Sequence, residues 1–131
     1  MAFGCGRKGP PRPPRLVVPP PVSDLRAEVL EERIILSWSV PAGDDEAASG
    51  IEAFRVFRFR TDAPEQLCAG CPVDFRRFET VTVAGPIGSG TERRMTVYDV
   101  WDPGYGYMYK VIAVHETGGV SDHSNIATLL P

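Results

Sequence analysis

Cys68 and Cys71, followed by Pro72, have the C-x-x-C spacing of three different chemistries. A thiol-disulfide catalyst sets this pair at a helix N-terminus, where the dipole lowers the thiol pKa. A zinc site needs two further ligands, for which His115 and His123 are available. A local disulfide is the structural use. Haem attachment requires a histidine directly after the second cysteine, and Pro72 stands there instead. The acidic trio Asp44, Asp45 and Glu46 could offer oxygens to calcium, but no EF-hand-like loop follows, so a solvated loop is expected. Asp99 and Asp102 read as turn residues, and His115 and His123 as surface. No serine sits in a nucleophile elbow and no Gly-rich loop leads from a strand into a helix. No catalytic residue, metal or cofactor is therefore expected.

The elements that must carry these residues are strands. Alternation of apolar and polar residues marks Leu25–Val29 and Arg33–Ser39, the latter with Ile34, Leu36 and Trp38 on one face and Pro41 ending the run. The next strand, Phe54–Arg60, has Phe54 and Val56 on one side and Phe57 and Phe59 on the other. One face belongs in a core; the other needs cover from the arm, a long loop or a partner. Phe57 and Phe59 are thus the candidate binding residues. Arg77–Val83, Arg94–Val100, Tyr107–Val114 and a last strand that follows the Gly118-Gly119 turn and ends around Ile126–Leu129 complete about seven strands. Gly85-Pro86, Gly88-Ser89-Gly90 and Gly118-Gly119 supply turn chemistry between them. No helical period of useful length is present.

At specific residues this pattern resembles a fibronectin type III domain. Pro21, Leu25 and Ile34-x-Leu36-Ser37-Trp38 match the opening of that family. Gly104, Tyr107, Tyr109, Val111, Ala113 and Val114 match the segment that holds its tyrosine corner, and Gly119, Ser121 and Ser124 match its ending. The resemblance runs from Pro20 to Pro131. It implies an all-β, seven-stranded, immunoglobulin-like antiparallel sandwich over residues 22–131. Two departures stand out: the interval Asp62–Arg76 is longer than usual and holds the two cysteines, and no Arg-Gly-Asp tripeptide is present.

Residues 1–21 are of a different composition. Seven of the 13 prolines lie there, with Arg7, Lys8, Arg12 and Arg15 and no acid. Ten basic residues against 17 acidic ones remain for the rest, a net of about −7 beside an arm of about +4. Prolines restrict the backbone to extended geometry, so this arm is expected to be a semi-rigid polyproline II tether. Four bases without interleaved aromatics, on an acidic domain, do not make a nucleic-acid site. No stretch reaches the roughly 20 apolar residues of a transmembrane helix.

Gly4-Cys5-Gly6 resembles the end of a bacterial lipobox, and the Arg7-Lys8-Gly9-Pro10 that follows is similar to the opening of small Gram-negative lipoproteins. That resemblance implies a trimmed signal region, lipid on Cys5, membrane attachment through that lipid, and a periplasmic or outer-membrane-associated address in a bacterial envelope. With Cys5 so used, Cys68 and Cys71 pair off, and an oxidising compartment favours a disulfide between them. The expected function is a non-catalytic module for protein interaction or spacing, a monomer serving an unidentified envelope protein. Two other functions stay open: a small redox or metal-binding protein acting through Cys68 and Cys71, and a carbohydrate-associated module using Trp101, Tyr105 and Tyr107.

Overall fold

A computed structural model describes residues 15–42, 45–68, 70–83 and 93–131. Among the described residues, seven strands form two antiparallel sheets. The first has the order β1 (Arg26–Leu30), β2 (Arg33–Ser39), β5 (Arg94–Val100); the second has the order β4 (Arg76–Thr82), β3 (Ile51–Thr61), β6 (Gly106–His115), β7 (Ala127–Leu129). This is the seven-stranded sandwich that the sequence predicts. The strands fall where alternation places them because each side chain pattern can bury only one face. In β2, Ile34, Leu36 and Trp38 are fully buried, while the residues between them are half-buried. Across the core, Phe54 and Val56 of β3 and Val111 and Ala113 of β6 meet them, and Trp38 packs edge-on to Phe54 with ring centroids 5.5 Å apart. The Trp38 indole N–H meets no acceptor among the described residues.

β1 and β2 form a hairpin closed at Leu30↔Arg33, with Glu31 and Glu32 at φ 53° and 62°. Positive φ at both central residues is the type I′ geometry that matches strand twist, and Asn-Gly is its usual sequence. Two glutamates adopt it here against their intrinsic preference.

The chain after β6 departs from the expected strand. Only Ala127–Leu129 of the described residues after β6 forms a strand on it, with an isolated bridge Val114↔Val120 ahead of it. Between them, the Ser121 and Ser124 amides still donate to the Ala113 and Val111 carbonyls, and side chains supply the return bonds. The Ser121 and Ser124 hydroxyls accept from the Ala113 and Val111 amides at 2.9 Å each. Asn125 then imitates a peptide unit, accepting from Leu25 N–H and donating to Leu25 C=O, both at 2.9 Å. That contact joins the two sheets.

The segment expected to be a plain loop before β3 contains a one-turn helix, α1 (Glu46–Ser49). Asp45 caps it by accepting from Ala48 N–H at 3.2 Å, a structural use of one member of the acidic trio. Asp44 lies outside the described residues, as do Cys5 and the glycine-rich turn residues 85–90. Of the proline-rich arm, residues 15–21 are described, and they lie against the domain: Pro19 is fully buried and Val17 N–H donates to Thr117 Oγ1 at 2.9 Å.

Candidate functional site

Cys68 and Cys71 are joined by a disulfide with Cα atoms 5.4 Å apart. Between them Gly70 takes φ 78°, and Cys71 N–H returns to the Cys68 carbonyl at 3.2 Å, which closes a four-residue turn. A 3₁₀ turn, Pro64–Gln66, precedes it, and both cysteines are exposed. The turn is not at a helix N-terminus. Gly106, which opens β6, lies against Pro64 and Leu67 of this segment. His115 closes β6, nine residues on, so about 30 Å of strand separates it from the cysteine end. The fold therefore does not bring His115 to the pair. No cluster of three or more potential metal ligands occurs among the described residues.

His115, read from sequence as surface, is fully buried. The correction comes from register: β3 shifts against β6 between Ile51 and Ala53, so Glu52 has no partner and the alternation breaks. The imidazole then sits on Gly50. Its Nδ1 accepts from Thr117 N–H at 3.1 Å, and its Nε2 lies 2.9 Å from the Glu46 carbonyl. A backbone amide can only donate, so Nδ1 is an acceptor and Nε2 carries the proton that bonds Glu46. The ring ties α1 to the end of β6. His123 is exposed, with Nδ1 2.9 Å from the Ser124 carbonyl.

Asp99 likewise departs from its expected role in a turn. It lies within β5, its side chain is 5% exposed, and it sits between the sheets. Arg58 Nη1 donates to both carboxylate oxygens at 3.1 and 3.0 Å, and Tyr109 Oη donates to Oδ2 at 2.6 Å. Burial and the hydrogen bond to Asp99 raise the Tyr109 phenol far above its ordinary value. Sequence reasoning passed over this network, although a signal was present. Arg58 continues the inward face of Phe54 and Val56, Asp99 that of Val97, and opposite charges at two inward positions point to a buried pair.

Asp102 matches its expected place at the turn. Its N–H donates to Tyr107 Oη at 2.9 Å, and that hydroxyl donates to the Val100 carbonyl at 3.2 Å. This is the tyrosine corner. Tyr107 is fully buried, and Trp101 packs on it with centroids 5.6 Å apart. Tyr107 is thus closed to a sugar ring.

Phe57 and Phe59 do lie on the outer face of β3, but half-buried rather than exposed. Their cover includes the long segment before β4: the Lys110 ammonium stands 4.5 Å from the Phe75 ring and 5.9 Å from that of Phe57. Phe59 pairs with Met108, which is buried. More exposed apolar residues lie on the outer face of the other sheet, where Leu30 (58%) and Val100 (73%) flank Arg33 and Tyr98 (52%) pairs with Ile35. Alternation alone could have found them, as the residues facing away from Val97 and Ile34.

No family model and no curated protein matches this sequence. Solved structures do. Domains A168–A170 of titin share 22% identity over 86% of this chain and 32% of that one, with a TM-score of 0.55. The third fibronectin III domain of the human KIAA0343 protein shares 15% over 95% of this chain and 92% of that one, also at 0.55. The pectate lyase PelI from Erwinia chrysanthemi, in complex with tetragalacturonic acid, shares 19% over 82% of this chain and 27% of that one, at 0.52. The chain spans about a third or less of the titin and lyase chains. At these identities the likeness is one of fold: the chain has a fibronectin type III-like fold.

Proposed function

We propose that this chain is a non-catalytic interaction or spacing module of a bacterial cell envelope, held at a membrane by lipid on Cys5. One observation carries the non-catalytic reading: the groups able to do chemistry are already bonded within the fold. Cys68 and Cys71 hold each other, His115 holds α1, and Asp99 is shared by Arg58 and Tyr109. The half-buried rings Phe57 and Phe59, with the cysteine-bearing segment beside them, form the contact surface for an envelope protein. The basic, proline-rich residues ahead of Arg15 fit a stalk.

The anchor is tested by expressing the gene with its native upstream codons in a Gram-negative host fed radiolabelled palmitate. Label is expected on the wild-type protein and absent from Cys5→Ser; equal label on both overturns the anchor. The contact surface is tested with Phe57→Ser and Phe59→Ser, which should keep the β-sheet circular dichroism while losing capture of the envelope partner. Undiminished capture by the folded variants refutes that surface.

A further inference from the structure

The β3–β4 ladder ends at Arg58↔Arg76, yet β3 continues to Thr61. Phe59, Arg60 and Thr61 pair with β6 on one side and, among the described residues, have no strand on the other. The sheet edge therefore has a notch three residues long. A cleft of about 490 Å³ lies there, lined by Arg58, Arg60, Arg76 and Arg77, with Asp74 as its only carboxylate among the described residues. Four of the ten basic residues outside the arm converge on this spot, although that part of the chain carries a net negative charge.

The guanidinium groups are also oriented. Arg58 stacks over the Phe78 ring at 4.6 Å and Arg60 over Tyr105 at 4.4 Å. Stacking occupies the faces and leaves the in-plane N–H groups pointing away from the rings; Arg58 already bonds Asp99, whereas Arg60 presents the geometry that pairs with a planar carboxylate. A sugar would need those aromatic faces, which are taken. Unpaired strand edges accept an extended peptide through main-chain hydrogen bonds, with alternate side chains supplying specificity.

We infer that this notch is a docking site for an extended acidic peptide segment of a partner protein, which adds to β3 beyond the start of β4 and places carboxylates on Arg60, Arg76 and Arg77. This rests on the interaction-module reading and names the chemistry of the partner. Asp74 bonds Arg76 at 3.3 Å and occupies part of that site in the free protein.

The probe is a fluorescein-labelled heptapeptide of alternating Glu and Val, with its Gln-for-Glu counterpart, followed by fluorescence anisotropy on the disulfide-bonded protein. Saturable binding is expected for the Glu peptide and at least tenfold weaker binding for the Gln peptide. The double variant Arg76→Ala/Arg77→Ala alters exposed side chains and should keep its circular dichroism while losing at least tenfold in affinity. Asp74→Asn should gain severalfold. N-methylation of alternate peptide amides should abolish binding if a strand is added. Failure of the wild type to bind, equal binding by the double variant, or displacement by inorganic phosphate at equimolar concentration overturns the proposal. Any of these leaves partner capture through Phe57 and Phe59 untouched, so the two readings fail separately.

Discussion

Arg58 of β3 and Asp99 of β5 face each other from opposite sheets, and one guanidinium nitrogen bonds both carboxylate oxygens at 3.0 and 3.1 Å. The side chains are unequally covered, 31% exposed for Arg58 and 5% for Asp99. Removing the arginine therefore leaves a buried carboxylate without its counter-charge, held only by the Tyr109 hydroxyl and the Val100 amide, whereas removing the aspartate frees a cation that can reach water. Breaking a buried pair from one side costs about 3–5 kcal/mol, and partial exposure of Arg58 puts this case at the lower end. Arg58→Met should lower the urea-unfolding free energy by about 3 kcal/mol, and Asp99→Asn by clearly less. Equal losses would show that the asymmetry of burial is irrelevant.

Tyr109 supplies a further bond to Asp99, beside those from Arg58 and the Val100 amide, and gives the fold a dependence on alkaline pH. Burial and that hydrogen bond raise its phenol above the ordinary value of 10.0. Above about pH 10 the unfolded chain releases a proton that the native state keeps, so the native state binds more protons and stability falls as pH rises. The contribution is complete below that value and is lost at about 1.4 kcal/mol per pH unit above it. Urea titrations on either side of about pH 10 should show this slope in the wild type and a shallower one in Tyr109→Phe.

How far the fold could be read in advance differs between these residues and the strands around them. Ile34, Leu36 and Trp38 announce β2 because period-two burial is a local property, and Pro41 stops it. The corner at Tyr107 was legible through its resemblance to a known segment, since its hydroxyl reaches only as far as Asp102 and Val100. His115 was misread because its burial depends on Gly50 and Glu46, far away in sequence, and on a register shift opposite Glu52 that no local pattern encodes. Alternation places Phe57 and Phe59 on the face of β3 opposite Phe54 and Val56, but their partial cover by the segment around Phe75 is a tertiary effect. The arginine cleft was not legible, because it exists only where β3 outruns β4.

The hairpin turn at Glu31-Glu32 also gave no sequence signal, and it carries a cost. Both residues hold positive φ, which disfavours ordinary L side chains by about 1 kcal/mol each. Asn-Gly meets the same geometry without that penalty. Glu31→Asn with Glu32→Gly should raise stability by about 1–2 kcal/mol in urea, with the sheet spectrum unchanged. A loss of stability would mean that the turn is held by contacts of the glutamates themselves.

The Cys68–Cys71 bond closes a ring of four residues at the surface. Loop-closure entropy for so small a ring amounts to about 2 kcal/mol at most, and local opening of the turn can occur without breaking either sheet. Reduction followed by alkylation should therefore lower the unfolding free energy by no more than about 2 kcal/mol and leave the circular dichroism of the sandwich intact. Loss of the folded spectrum on reduction would instead make this bond a condition of folding.

Gly119 decides how the arm leaves the domain. A Cβ there would collide with the Val17 carbonyl, and Gly118 beside it holds φ 97° to turn the chain. The arm backbone can approach the β6–β7 connection closely only because Gly119 has no side chain. Gly119→Ala should push Val17 away and break its bond to Thr117 Oγ1, while His115 keeps its own bond to the Thr117 amide. Amide exchange should accelerate at Val17 and stay slow at the β6 amides that face β3, because that ladder does not involve this contact; His115 N–H bonds the Gly119 carbonyl and is left out of the comparison. Faster exchange across β6 as well would show that the arm is part of the cooperative core, and that any spacer begins upstream of the residues packed on Gly119.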